Sequence, residues 1–459
     1  MNFHTFYAYQ KKSVSISPRV LLSTQGGFTL IETLIGSAVF LIVALSAYSA
    51  FNVLMDVAVA SRIKVAATEL ANERFEIMRN LPYVDVGIVG GLPIGKIIRN
   101  QNIIRDGYSF TVVTTIRSVD DTFDGTIGGS PSDTSPADYK LADMDITCSN
   151  CKNFSTLNFT TLVAPHALET ASNNGALYVR TIDASGVPVA NASVHIVNTQ
   201  TNPDTIIDET TDSSGWIKIV DAPPGTGAYN LTATKPGYSQ DQTYPIGGVA
   251  GPNPIKPNAN VVTQQVTQLS LAIDRLSSLA MTTVDSSCVA LPNIGFSLTG
   301  TKTIGVGILK YPTQNFTTNS GANYTIPNLE WDTYGVLLTS ASYDLAGTTL
   351  LPSFVVNPNE NKTLQLIAVP HVNRALLVSV KDSTNATIDD ATVRLQRSGF
   401  DQTKTTNSGS CSSPGQVFWN GLASDTYTLT VSKTGYQTYT NGALNISAAW
   451  QNQTITLNP

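Results

Sequence analysis

The chain has 459 residues, which is enough for about three domains. Charged residues make up 13% of it, about half of the usual share, and the formal net charge is −6. Because nucleic-acid binding rests on basic surfaces, this balance argues against a nucleic-acid partner. The chain has four His and four Cys, so few residues are left for a metal site or a catalytic cluster.

The first predicted element is an apolar helix near the N-terminus. Residues 1–27 carry Lys11, Lys12 and Arg19 but no acidic residue, so their charge is +3. Residues 33–51 contain no charged residue, Asn, Gln or Pro, and their number is close to the about 20 residues that a helix needs to span a bilayer. Basic residues before an apolar span predict a cytoplasmic N-terminus and export of everything that follows.

The residues in front of the apolar segment are unusual for a secretory signal, which is cleaved after its apolar part. Here a Gly26-Gly27 pair precedes the apolar part, and the next residues are Phe28, Thr29, Leu30, Ile31 and Glu32. This junction resembles the class III signal of type IV prepilins and pseudopilins. The resemblance implies that a prepilin peptidase cleaves between Gly27 and Phe28 and methylates the new α-amino group of Phe28.

The same resemblance implies a location and partners. The precursor would cross the inner membrane once, and the mature subunit would join other pilin subunits through its N-terminal helix in a filament of the periplasm and cell surface. Glu32 is ionisable within the membrane span, where charges are costly and usually functional. The family implies that Glu32 pairs with the amine of Phe28 on a neighbouring subunit. The alternative is that Glu32 lies near the interface and reaches water.

Beyond the membrane, the helical pattern continues. Apolar residues recur every three or four positions, as an amphipathic helix requires, at Ala58, Val59, Ile63, Ala66, Ala67, Leu70, Ala71 and Phe75. Pro82 lacks an N–H donor and disfavours a helical Leu81, so we expect the helix to end at Asn80. A helix over residues 28–80 would be about 80 Å long. Such a helix, half in the membrane and half outside, resembles the spine of pilin-like folds.

Residues 83–165 are predicted to form a small antiparallel sheet on the outer half of the helix, which gives an α+β, pilin-like N-terminal part. Residues 108–116, 141–147 and 157–163 are rich in β-formers. The acidic residues between the first two segments are Asp120, Asp121, Asp124, Asp133 and Asp138. They could bind Ca²⁺, but their spacing matches no EF-hand and turns need the same residue types.

The cysteines and histidines give little support to redox, zinc or enzyme chemistry. Cys148 and Cys151 could be a redox pair in a cytosolic protein, but outside the membrane we expect a structural disulfide. Without a second such pair a zinc ribbon is not expected, so we assign no metal and no cofactor. The pairing of Cys288 and Cys411 stays open. His166, His195 and His371 form no HExxH motif, and no Gly-x-Ser-x-Gly elbow occurs, so we expect no enzyme.

The rest of the chain contains an internal repeat. The residues Ala176, Asp183, Ala192, Val194 and Ile196 recur 199 positions later as Ala375, Asp382, Ala391, Val393 and Leu395. The tyrosines Tyr229 and Tyr238 recur as Tyr427 and Tyr436, 198 positions later. A weaker middle copy has Phe296, Leu298 and Tyr334 in the corresponding places. Alternating apolar and polar residues around these tyrosines are typical of half-buried strands.

Each copy resembles a carboxypeptidase regulatory-like or transthyretin-like module, which is an Ig-like β-sandwich. The resemblance is carried by residues 186–194, 211–216 and 229–238 and implies three all-β sandwiches, but no activity. The predicted organisation is a leader at 1–27, a long helix at 28–82 that spans the membrane at about 33–55, a head at 83–165, repeats at 175–245, 279–368 and 375–457, and a linker with a strand at 246–278.

The predicted function is a minor pilin or pseudopilin subunit of a type IV pilus or type II secretion-like filament. Its sandwiches would display loops for adhesion to a surface ligand or carbohydrate, or would act as spacers. Trp331, Trp419 and Trp450 could stack on sugars or belong to the cores. The alternative function is a cell-surface adhesin that is anchored by its helix and never joins a filament.

Overall fold

The computed structural model describes residues 27–152, 154–165 and 171–459. Within these ranges one long helix, α1 (Leu30–Asn80), and a 3-10 turn at Tyr83–Asp85 precede β-strands in several sheets. The predicted fold class, one long helix followed by β-sheets, is therefore confirmed. The predicted leader falls almost entirely on residues 1–26, which lie outside the described residues.

Helix α1 has 51 residues and is about 77 Å long. Thr29 caps its N-terminus, because the Thr29 side chain accepts a hydrogen bond from the Glu32 backbone N–H at 3.3 Å. The negative charge of Glu32 in the first turn is also favourable to the helix dipole. At the other end Leu81 is extended, and Pro82 behind it cannot continue the helix, so α1 ends at the predicted residue.

The head is a four-stranded antiparallel sheet whose strands pair in chain order. Its strands are β1 (Asn100–Arg105), β2 (Tyr108–Val119), β3 (Tyr139–Cys148) and β4 (Leu157–Val163). The sheet covers the outer half of α1, where the buried residues are Ile63, Ala66, Ala67, Leu70, Ala71, Phe75 and Met78. From β2, the alternate residues Phe110, Val112 and Ile116 meet them and are at most 1% exposed. Each large side chain buried here contributes about 1.5–3 kcal/mol, so this contact anchors the head to α1.

The first sandwich follows the head and encloses one core between two sheets. Its strands are β5 (Gly175–Ile182), β6 (Ser193–Asn198), β7 (Thr205–Thr210), β8 (Trp216–Ala222), β9 (Gly225–Thr234), β10 (Asp241–Gln242), β11 (Ala259–Val261) and β12 (Val266–Ala272). The sheets have the orders β10-β9-β6-β7, with β11 also on β9, and β12-β5-β8. Strand β12 is the strand expected within 246–278, and its parallel pairing with β5 makes it part of the first sandwich.

The second and third sandwiches repeat this arrangement. The second contains β13 (Ser277–Val284), β14 (Gly295–Gly300), β15 (Thr303–Gly305), β16 (Ile308–Leu309), β17 (Gln314–Thr317), β18 (Asn323–Leu329), β19 (Asp332–Leu338), β20 (Tyr343–Thr348), β21 (Ser353–Val356) and β22 (Asn361–Pro370). The third contains β23 (Arg374–Asp382), β24 (Thr392–Arg397), β25 (Phe400–Thr405), β26 (Gln416–Leu422), β27 (Asp425–Ser432), β28 (Tyr439–Ile446) and β29 (Trp450–Leu457).

Three features recur in each sandwich. The first and last strands pair in parallel, as β5 with β12, β13 with β22 and β23 with β29. An aspartate closes the turn after the first strand: Asp183, Asp285 and Asp382 each accept two backbone N–H bonds through Oδ1. A tyrosine that is at most 1% exposed donates its hydroxyl to a backbone carbonyl, and these residues are Tyr229, Tyr334 and Tyr427. The middle copy therefore shares these three features with the first and third copies.

Polar contacts and one covalent bond connect successive units. Between the head and the first sandwich, Ile206 N–H donates to the Gly90 carbonyl at 2.7 Å. A disulfide joins Cys288 of the second unit to Cys411 of the third. Beside that junction the side chain of Gln416 is 1% exposed and bonds both backbone groups of Thr348, at 3.0 and 2.7 Å. These contacts cross from one core to the next, so the units are held together by more than their linkers.

Candidate functional site

The N-terminal half of α1 is exposed on every side. The most apolar 18-residue window of the helix has a mean hydropathy of 2.2, and none of it is buried. Side chains of α1 become buried only from Ile63 onward. A helix that is apolar all round and uncovered matches a membrane span, because water would solvate it poorly. The helix therefore has two halves, one suited to lipid or to other helices and one covered by the head.

Gly27, Phe28 and Glu32 lie together at the free end of this helix. Phe28 is 79% exposed, and both Gly27 and Glu32 are exposed as well. Among the described residues, no basic side chain forms an ion pair with the Glu32 carboxylate. The backbone N–H of Glu32 donates to the Thr29 side chain that caps the helix. The Gly27–Phe28 bond is thus accessible, and the carboxylate can accept a partner from another molecule.

The outer half of α1 carries polar links to the head. Arg105, at the end of β1, hydrogen-bonds Glu73, and this bond lowers the pKa of the Glu73 carboxyl below its ordinary value. Arg79 donates to the Thr161 hydroxyl of β4 at 2.7 Å. These contacts flank the apolar face and fix the rotation of the sheet about the helix.

The acidic loop at residues 120–138 mostly bonds its own backbone. Asp120 accepts from the Ile127 N–H at 3.0 Å, and Asp133 accepts from the Ser135 N–H at 2.8 Å. Burial raises the pKa of Asp120, and the neighbouring acidic side chains raise it further. Within the described residues, no group of three or more His, Cys, Asp or Glu is placed so that it could hold a metal ion. A disulfide joins Cys148, the last residue of β3, to Cys151.

The tryptophans and histidines considered in the sequence are spread over the sandwiches. Trp419 is 1% exposed and belongs to the third core. Trp450 is half-buried and donates its indole N–H to the Leu345 carbonyl at 2.8 Å, and Trp331 is half-buried beneath Lys302. Of the histidines that the structure describes, His195 pairs with Asp208 in the first sandwich and His371 pairs with Asp344 in the second. His166 lies outside the described residues.

One cavity that the sequence did not predict lies between the head and the first sandwich. It is lined by Trp216 and Tyr178 from the first sandwich and by Asp120 from the head. The signal available in the sequence was the position of both aromatic residues at the outward-facing places of their strands. That pattern does not reveal which other unit covers them.

Comparisons with known proteins agree with the N-terminal and first-repeat assignments. The model of the prokaryotic N-terminal methylation motif matches residues 22–48, and the model of the carboxypeptidase regulatory-like domain matches residues 176–272. The second range includes β12, as the sheet topology requires. No curated protein sequence matches the chain.

Three solved structures illustrate the structural matches. The Bacillus anthracis TIE protein is 13% identical, with 79% of this chain and 73% of that one covered and a TM-score of 0.20. A Streptococcal ancillary pilin is 12% identical, with coverages of 62% and 98% and a TM-score of 0.17. GBS52, a minor pilin of Streptococcus agalactiae, is 14% identical, with coverages of 40% and 95% and a TM-score of 0.16. At these TM-scores we draw no conclusion from the likenesses.

The methylation motif and the uncovered apolar helix describe the same end of the molecule. Together they fit a precursor that is anchored in the membrane and a mature subunit of a surface pilus. Both resemblances recognised in the sequence are confirmed by the family models. The chain therefore carries the class III signal of type IV pilins, known as the prokaryotic N-terminal methylation motif, and a carboxypeptidase regulatory-like domain.

Proposed function

We propose that the protein is a minor, non-catalytic pilin or pseudopilin subunit of a type IV pilus or a type II secretion-like filament. The observation that carries the proposal is the free end of α1, where an exposed Glu32 follows the accessible junction between Gly27 and Phe28. Prepilin peptidase would cleave at this junction, and the uncovered apolar half would then pack against the helices of other subunits. A negative carboxylate and a new α-amino group provide the charge pair for such packing.

The size of the chain favours a minor position in the filament. Cleavage after Gly27 leaves 432 residues and removes three positive charges, so the mature net charge is 24 − 33 = −9. Three sandwiches beyond the head would crowd a closely packed shaft. They fit better at the tip or as sparse decoration, where their loops could contact a surface ligand.

Two substitutions separate processing from assembly. Gly27→Ala should block processing, whereas Glu32→Ala should be processed normally but absent from sheared filaments. The matched control is Glu69→Ala, because Glu69 is also an exposed acid on α1 but lies beyond the membrane span. Immunoblots of membrane and sheared fractions measure both steps. Normal amounts of Glu32→Ala in the filaments would refute the assembly role.

A helix-anchored adhesin that never joins a filament is the second candidate, because the same apolar helix would also hold such a protein in the membrane. Immunogold labelling of whole cells distinguishes the two. Label along or at the ends of filaments supports the subunit, and label over the envelope alone supports the adhesin.

A further inference from the structure

A cavity of about 400 Å³ lies between the head and the first sandwich. We call it the head–repeat cavity; its volume is within the range of about 300–1,000 Å³ that is common for small-molecule sites. The head contributes residues from the end of β2 and from the acidic loop, and the sandwich contributes β7 and β8 together with Tyr178 of β5. Neither unit forms this cavity alone.

Aromatic rings form the sandwich wall of the head–repeat cavity. On β5 the side chains of Leu177 and Val179 enter the core, so Tyr178 lies on the opposite face of the sheet. On β8 Trp216 likewise lies on this face, and both rings are half-buried. Arg180 lies 5.5 Å from the centre of the Trp216 ring, which holds the indole in place. The wall thus offers two fixed, partly accessible aromatic surfaces.

Two carboxylates of the lining, Asp120 from the head and Glu209 from β7, have few hydrogen-bond donors. One oxygen of Asp120 accepts from the Ile127 N–H, but its second oxygen, Oδ1, is buried and has no partner in the described part of the chain. The Glu209 side chain is 15% exposed and makes no hydrogen bond with any described residue. Its nearest cation is Arg117, at 4.0 Å. Burial raises the pKa of both carboxyl groups, as expected for acceptors that neither water nor a donor fully satisfies.

These surfaces together select a chemical class of ligand. A ligand that supplies hydroxyl donors to the carboxylates and C–H groups to the rings is a saccharide. An acidic sugar would be repelled by the negative charges of Asp120, Glu209 and Asp212 in the lining. A basic peptide would be repelled by the positive charges of Arg117 and Lys218 in the same lining. A neutral sugar is repelled by neither set of charges.

We propose that the head–repeat cavity is a binding site for a neutral saccharide. Trp216 and Tyr178 pack against the C–H face of the sugar, and Asp120 and Glu209 accept hydrogen bonds from its hydroxyls. The site goes beyond the function in filament assembly, and binding does not require a filament. A subunit that fails to assemble would still bind the sugar.

The test uses the full mature chain in a detergent without a sugar headgroup. Glucose, galactose, mannose, N-acetylglucosamine and lactose are the probes, and saturation-transfer NMR measures binding. We expect saturable binding of at least one sugar, with a dissociation constant of about 1 mM, as for a small contact surface. Trp216→Leu should weaken binding at least tenfold, Glu209→Gln should weaken it measurably, and the control Trp331→Phe should have no effect.

Hydrogen exchange of the first sandwich shows whether each variant is folded, and the isosteric Glu209→Gln variant keeps the test valid if Trp216→Leu unfolds. Two results would overturn the proposal. One is that none of the five sugars binds to the folded wild-type chain. The other is that sugar binding persists unchanged in every cavity variant that is folded, including Glu209→Gln alone if Trp216→Leu unfolds.

Discussion

The tyrosine that recurs in each sandwich allows the contribution of its hydroxyl group to stability to be compared at three equivalent positions. Tyr229 donates to the Pro223 carbonyl at 2.7 Å, and Tyr334 donates to the Glu330 carbonyl at 2.8 Å. Replacing either tyrosine with Phe removes the hydroxyl and its bond to that carbonyl while the ring stays in the core. A neutral hydrogen bond contributes about 0.5–1.5 kcal/mol, and an abandoned carbonyl adds to this, so each change should cost about 1–2 kcal/mol.

Tyr427→Phe should cost more than the other two changes. The Tyr427 hydroxyl bonds the Ala423 carbonyl at 3.3 Å, and it also accepts from the Ala423 N–H at 3.2 Å and from Arg397 Nε at 3.1 Å. Removing it leaves two donors without this acceptor, one of them charged. We expect a loss of about 2–4 kcal/mol, because bonds to charged groups contribute about 1.5–3 kcal/mol.

Native-state hydrogen exchange followed by mass spectrometry gives a free energy of opening for each sandwich separately, which a multi-domain chain requires. Tyr436→Phe is the matched control, since the Tyr436 hydroxyl makes no hydrogen bond with any described residue, and its cost should stay within about 0.5 kcal/mol. The reasoning would be refuted if Tyr427→Phe were no more destabilising than Tyr436→Phe, or if it affected the first sandwich instead of the third.

Three further predictions concern the head, the disulfide and alkaline pH. Leu70→Ala should destabilise the head by about 2–5 kcal/mol in denaturant titrations followed by exchange, since Leu70 is fully buried, whereas Leu45→Ala, at a 61% exposed site, should leave the head unchanged. Cys288→Ser should lower the stability of the second and third sandwiches by up to about 5 kcal/mol, because the bond closes a loop of 123 residues, and calorimetry showing no loss would contradict the link. Burial raises the pKa of Tyr229 from 10 to about 12, so the contribution of this residue to stability is complete below pH 10. Stability should fall by about 2 kcal/mol as the pH rises to 12, and this fall should be smaller in Tyr229→Phe.

The helix and the repeat plan were predictable because they rest on local patterns. Pro82 fixes the end of α1 through its missing donor, and the buried positions of α1 follow a helical period. The core residues Val194, Phe296 and Val393 are each fully buried at the places that the repeat assigns to them. In these cases one side chain and its sequence neighbours decide the structure.

Other features depend on contacts that no local pattern encodes. Strand β12 pairs in parallel with β5 after a connection through most of the first sandwich, so its membership was visible only in the sheet. The pairing of Cys288 with Cys411 depends on how two cores meet, and so does the burial of Gln416. The head–repeat cavity likewise exists only because a head loop covers the outer face of β5 and β8.

The central claim is that the chain is processed at Gly27 and assembles through the exposed end of α1. The most direct measurement is mass spectrometry of the mature N-terminus in protein sheared from the cell surface. The account predicts a peptide that begins with N-methylated Phe28 in the sheared fraction. An N-terminus upstream of Gly27, cleavage beyond the apolar helix, or absence of the protein from sheared filaments would contradict it.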